Sequence, residues 1–180
     1  MNANDAPLKI CVESIFYSRA DGLPTLQEHY GFEFQEENIL LMELVQTYEG
    51  LRDGECEVAE GYSTDGRITA WGFANLVDSQ AFFPAYNPAP TIRQDTLDAH
   101  PELAPLLAQI GPQLDEKTMT QLNARVALGA DGTPSSGDEE SAEEVAKEFL
   151  AKAGLLGERP RLAVGSKGFT EQLLLGKMLV

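Results

Sequence analysis

Apolar positions along this chain switch repeatedly between a period of two and a period of three to four, and that switching predicts the fold class. A β-branched apolar run, Leu8 to Val12, precedes a loop holding Asp21-Gly22. LPTLQEHY then reads as a helix, with its proline in the first turn, where a missing N–H has no partner to lose. NILLM reads as a second strand and leads into ELVQTYEGLRDG, where Leu44, Tyr48 and Leu51 recur at helical spacing before a glycine stop. CEVAEGY reads as a third strand, YSTDG as a loop, the residues around RITAW as a short helix and FANLV as a further strand. Strand and helix in alternation predict parallel βαβ units in an open, doubly wound sheet, whose ligands sit at the carboxyl ends of the strands.

After residue 90 the pattern turns helical. DTLDAHPELAPLLAQIG predicts two short helices broken at Pro101, and DEKTMTQLNARVAL a third capped by Asp115. Residues 129–138, rich in Gly, Pro and Ser, read as a linker. EESAEEVAKEFLAKAGLL follows as a helix, with Ser141 and Glu144 forming a capping box. Its acidic residues lie at the positive end of the helix dipole, and Val145, Phe149 and Leu150 give it a packing face. The last segment starts another unit, with RLAV as strand, GSKGF as turn and TEQLLLGKMLV as helix, and its abrupt stop on an apolar helix reads as an imposed boundary, a reading frame cut short or one piece of a longer repeat. The boundaries that follow are 1–80 for one α/β lobe, 81–157 for a return segment with C-terminal helices, and 158–180 for the extra strand and helix.

Charge narrows the function classes. Thirteen basic and 29 acidic side chains in 180 residues leave a net charge of −16, a field that repels phosphates and anionic lipid, so nucleic acid is not an expected partner. Two cysteines, Cys11 and Cys56, cannot build a four-thiolate metal site; they read as small buried hydrophobes, with a single disulfide as the alternative. The opening residues MNANDAPLK carry neither the basic nor the apolar region of a secretory signal. G-x-G-x-x-G, Walker, H-E-x-x-H and G-x-S-x-G motifs are missing. His29 and His100 read as surface helix or turn residues rather than bases. The expectation is a non-enzyme without cofactor or metal.

Polar and aromatic loops directly after strand-like runs carry the remaining chemistry: YSRADG at 17–22, YSTDG at 62–66, FFPAYNPAP at 82–90 and GSKGFTEQ at 165–172. Two tyrosines on such loops can face a cation, each contributing about 0.5–2 kcal/mol. Arg19 can meet a carboxylate with its planar fork. Backbone N–H groups with the Ser166 or Thr170 hydroxyl at the start of the last helix make an anion-binding corner. Together these describe a site for a zwitterion. Trp71, Phe82 and Phe83 read as core or wall.

The same segments carry a resemblance. GSKGFTEQLLLGKML, the R-x-DGL-x-x-L…YGF stretch of residues 19–32, L-x-x-GE-C-E-V with YSTDG, FFPAYNPAP, and TMTQLNARV with EEVAKEFLAKAGL closely resemble the substrate-binding proteins of glycine betaine/carnitine/choline ABC importers. The resemblance implies a periplasmic-binding-protein-like (type II) bilobal α/β clamp, here with one lobe complete and the other partial. It would close on a quaternary ammonium compound in an aromatic cage and deliver it to an importer permease. It also implies an extracytoplasmic location. Carried over residue by residue, it places Tyr62 and Tyr86 in the cage with Thr64 beside it. Arg19 goes to the ligand carboxylate, and Ser166, Lys167, Thr170 and Gln172 to the opposite wall. In that family GSK-x-FTEQ comes first, whereas here it comes last, so the order is permuted and the stretch between it and residue 8 is missing. The unpaired sheet edges this leaves make homodimerisation or domain swapping an expected behaviour. The alternative is a sensor, scaffold or remnant lobe that folds without binding ligand by itself.

Overall fold

The computed structural model describes residues 8–129, 132–134, 137, 139–156 and 170–179. Contacts group the chain into two units. One runs up to Tyr62 and adds Asn75–Ala85; the other takes Ser63–Ala74 and the chain from Tyr86 onward, so Ser63–Ala74 groups apart from the remainder of residues 1–80.

The first unit is built on three parallel strands, β1 (Ile10–Glu13), β2 (Ile39–Met42) and β3 (Val58–Ala59), in the order β2-β1-β3. Ile10 lies opposite Ile39 on one side and Val58 on the other. Being central, β1 is buried on both faces, which is why it reads as an unbroken apolar run. Between the strands lie α1 (Ser14–Ser18), α2 (Leu23–Tyr30) and α3 (Leu44–Asp53). Leu23 and Phe16 close over Ile10 and Val12, with Leu26, Phe34, Ile39 and Val58 around them. The helices α2 and α3 stop at Gly31 and Gly54, both at positive φ, where a side chain would be strained.

Four details depart from the sequence reading. Residues 14–18 form α1 within what reads as strand and loop; the aromatic run IFY suits a strand, but Phe16 gains its burial by turning back onto the sheet. CEVAEGY yields a strand of only two residues, although Glu60 N–H still donates to Cys11 O (2.9 Å) beyond its end. FANLV is not a strand: no ladder forms there among the described residues, and Leu76 and Val77 stand 83% and 87% exposed. Cys11 and Cys56 are bonded to each other rather than merely buried, tying the middle of the sheet to the chain just ahead of β3.

The second unit is helical: α4 (Gly66–Ala70), α5 (Gln94–Ala99), α6 (Leu103–Leu107), α7 (Glu116–Ala127), α8 (Ala142–Lys152) and α9 (Thr170–Met178). The break between α5 and α6 falls around Pro101, Asp115 accepts from Thr118 N–H at the start of α7 (2.7 Å), and Ser141 and Glu144 form the capping box of α8. Val145, Ala146 and Leu150 of α8 share a core with Met119 and Leu122 of α7, Ile110, and Leu174 and Met178 of α9. Arg125 of α7 bonds Glu140 (2.6 Å from Nε) and Glu148, clasping α7 to α8. Half of the expected linker, and the whole of the RLAV strand and GSKGF turn, lie outside the described residues. Among the described residues no helix is long and apolar enough to cross a membrane.

Candidate functional site

In the order β2-β1-β3 the chain leaves β1 toward one side of the sheet and returns to the other, so the topology reverses between β1 and β3. Open parallel sheets leave a crevice at the carboxyl ends of strands at such a reversal. The segments leaving that point are Glu13 into α1 and Glu60-Gly61-Tyr62.

Side chains hold these two segments together. The Glu60 carboxylate accepts the Glu13 N–H (2.8 Å), and Thr47 Oγ1 of α3 lies 2.8 Å from Glu60 O. One residue along α3, the buried Tyr48 accepts the Tyr62 N–H at its hydroxyl oxygen (2.6 Å). A Cβ at Gly61 would stand 2.7 Å from the Tyr48 ring, so only glycine lets the strand pass that close. Tyr62 has its backbone fixed while the residue stays 54% exposed.

Burial raises the Glu60 pKa above the ordinary carboxylate value, opposed by the Glu13 N–H; the Glu13 charge adds to the rise and Arg19 offsets it. A raised pKa in the folded state means the fold binds more protons than the unfolded chain, so this group's contribution weakens stability as pH rises. Glu60→Gln keeps an acceptor for Glu13 and removes the desolvated charge. The expected result is higher stability at neutral pH, with the gain over wild type shrinking as acid protonates Glu60; urea unfolding across pH checks it.

Arg19 lies between α1 and α2, pairs with Asp21 (3.0 Å) and sits 5.7 Å from the Phe16 ring centre. Its guanidinium therefore has an intrachain carboxylate partner. The loop ahead of Tyr86 is organised by Asp78, whose carboxylate accepts from Tyr30 Oη and from the backbone N–H groups of Phe82 (3.0 Å) and Phe83 (2.8 Å). These bonds hold the Asp78 pKa below the ordinary value. Phe82 meets the exposed His29, and Phe83 meets Phe16, as wall rather than centre.

In the second unit, three separated segments meet at one carboxylate. Thr64 Oγ1 donates to Glu171, in the first turn of α9, and Asn123 Nδ2 of α7 donates to Thr64 O (2.9 Å) and Glu171 Oε2 (3.2 Å). Asp65 caps α4 through Arg67 N–H and pairs with the Arg67 guanidinium (2.9 Å). Gly66 presses on the α7 backbone at Ala124. Thr170 opens α9 directly before Glu171, whose carboxylate already stands at the positive end of that helix. Tyr86 is exposed. Gln172 lies on α9, and Ser166 and Lys167 fall outside the described residues. Tyr62 is thus in the first unit, and Thr64, Tyr86 and Thr170 in the second.

Comparison with known proteins gives this arrangement a family. A family model described as the substrate binding domain of the ABC-type glycine betaine transport system matches residues 1–152. The chain belongs to that family. A glycine-betaine-binding protein of Pseudomonas aeruginosa is 34% identical over 141 residues, 78% of this chain and 42% of that protein. The glycine betaine-binding protein YehZ of Escherichia coli is 32% identical over 152 residues, 81% of this chain and 47% of that one. A crystal structure titled as a glycine betaine/carnitine/choline ABC transporter superposes with a TM-score of 0.63 at 28% identity, over 82% of this chain and 50% of that chain. The chain therefore spans about half the length of the relatives it matches. With the superposed binding-protein structure it shares an α/β fold with a parallel sheet.

Sequence reasoning singled out Tyr62 but missed the residues that hold it. Tyr48 reads as one more apolar position on a helix, and no local signal marks its hydroxyl as the acceptor for a strand 14 residues away. Asn123 and Glu171 lie within the quoted TMTQLNARV and FTEQ segments, which could have been asked what two polar residues do inside amphipathic helices.

Proposed function

We propose that the chain is part of the solute-capturing component of an ABC importer and that its ligand is a quaternary ammonium compound of the glycine betaine, choline, carnitine or proline betaine kind. The observation that carries this reading is Tyr62, exposed on a fixed backbone at the carboxyl end of β3, where the sheet order reverses. A quaternary ammonium has no N–H to donate, so an aromatic face suits it where a hydrogen-bond acceptor does not. Tyr86, Thr64, Arg19, Ser166, Lys167, Thr170 and Gln172 complete the proposed contacts, with Arg19 exchanging Asp21 for the ligand carboxylate. Thr64, its hydroxyl committed to Glu171, contributes through the placement of its backbone.

In this reading residues 1–80 correspond to the second lobe of the relatives, 81–157 to the returning part of the first, and 158–180 to the first lobe's opening strand and helix in permuted position. The packing of α9 onto α7 and α8 supports that last correspondence. An importer permease is the proposed partner, outside the cytoplasm. The Cys11–Cys56 bridge favours that location, since reducing compartments keep thiols free.

Isothermal titration of the 180-residue chain with glycine betaine tests the reading. The expected affinity is very weak, because roughly half of the relatives' length is not in this chain. Tyr62→Ala abolishes the heat of binding and Tyr62→Phe keeps most of it, since the ring face rather than the hydroxyl attracts the cation. Equal loss in both variants would sink the cation–ring interpretation.

A further inference from the structure

Tyr62 is held from the side by α3. Its own N–H points at the Tyr48 hydroxyl oxygen, the preceding Gly61 lies against the Tyr48 ring, and Glu60 O lies 2.8 Å from Oγ1 of the fully buried Thr47. Two adjacent residues of one helix thus hold three consecutive residues of the strand that leaves β3. Glu60 N–H still donates to Cys11 O of β1 one residue past the end of β3, which is itself only two residues long. Two residues past Glu60, the Tyr62 N–H donates to the Tyr48 side chain. The Tyr48 ring supplies burial that any aromatic could supply, but its oxygen does something a ring cannot.

We propose that Tyr48 is a positioning residue for ligand binding: its hydroxyl oxygen sets the backbone at Tyr62 and so aims the Tyr62 ring at the quaternary ammonium group. This rests on the reading of Tyr62 as a ligand contact given above. A fixed backbone lowers the ordering cost that a mobile aromatic would meet on binding, so loss of the oxygen weakens affinity although Tyr48 touches no ligand.

The experiment uses the whole nitrogen-15-labelled 180-residue chain as wild type, Tyr48→Phe, Tyr62→Ala and the double variant. Each is titrated with glycine betaine by NMR, with thermal midpoints and amide hydrogen exchange measured alongside. Phenylalanine keeps the ring against Gly61 and removes only the hydroxyl. One hydrogen bond of ordinary net strength corresponds to about a fivefold rise in the dissociation constant. The expected result for Tyr48→Phe is that rise with a thermal midpoint near wild type, and exchange of the Tyr62 amide about tenfold faster while Ile10–Glu13 amides keep their protection. In the Tyr62→Ala background, where binding is already abolished, the second substitution is read by its thermal midpoint, which is expected to stay near that of Tyr62→Ala.

Each other outcome has a fixed meaning. If the wild type gives no titration, or Tyr62→Ala leaves it unchanged, the ligand reading fails and takes the proposal with it. If Tyr62→Ala abolishes binding while Tyr48→Phe is silent, the proposal alone fails. Unchanged exchange at the Tyr62 amide in Tyr48→Phe overturns it without reference to ligand. A Tyr48→Phe chain that unfolds overturns it as well, assigning Tyr48 to the core only.

Discussion

Reducing the Cys11–Cys56 bridge lowers the stability of the first unit by about 4 kcal/mol, the loop-closure value for a cross-link spanning 45 positions. The first unit depends on the bridge because its third strand is so short. Val58–Ala59 pairs with β1 over two residues, and Glu57 and Val58 both direct their N–H groups at Lys9 O (3.1 and 3.2 Å). Without the bridge, the chain from Cys11 to Cys56 regains freedom in the unfolded state and β3 has little pairing to offset it. Urea unfolding with and without reductant, followed by tyrosine circular dichroism, measures the loss. The single tryptophan, Trp71, donates its indole N–H to Gly132 O (2.9 Å) within the second unit, so its fluorescence transition serves as an internal control and is expected to stay put. A loss below about 1 kcal/mol, or an equal shift of both signals, would contradict this account of what the bridge stabilises.

Leu174→Ala costs the second unit about 3 kcal/mol. Leu174 is fully buried among residues of α7, α8 and α9, in a core whose other members include Met119, Val145 and Leu150. Truncation removes the transfer energy of the side chain and leaves a cavity that three helices cannot all close. Here the Trp71 transition moves and the tyrosine signal of the first unit does not. Leu173→Ala, one position away at an exposed site, is the control with little effect. If both leucines proved equally tolerant, α9 would be a loosely attached appendage rather than part of this core.

Which parts of this architecture were legible in the sequence follows from how local their causes are. Helix α2 carries its own punctuation, proline in the first turn and Gly31 at the end, and the predicted and observed bounds coincide. The caps at Asp115 and Ser141 are likewise properties of four consecutive residues. The strand-like FANLV had the composition of a strand but no neighbour to pair with among the described residues, and a strand is a property of two segments. The disulfide was invisible for the same reason: 45 residues separate two cysteines whose strand-like surroundings suit burial equally well. At the candidate site, Tyr62 was legible because an aromatic directly after a strand-like run is locally unusual. Tyr48, Thr47 and Glu60 act across the fold, through bonds whose partners lie 13, 14 and 47 positions away.

The position of α9 also bears on how the chain acquires its structure as it is made. Residues 8–62 hold the three strands and the Tyr48–Tyr62 bond, so most of the first unit can form while the residues after it are still being synthesised. The second unit has no such head start. Its core stays open on the side of Leu122, Val145 and Leu150 until Leu174 and Met178 emerge, so those apolar surfaces face solvent while the chain between α8 and the end of α9 is made. The most C-terminal of the described helices, α9, completes that core. Aggregation during synthesis should therefore come from the helical unit, and a chaperone that shields apolar helices should associate with nascent chains that end between α8 and α9 and release them once α9 has packed.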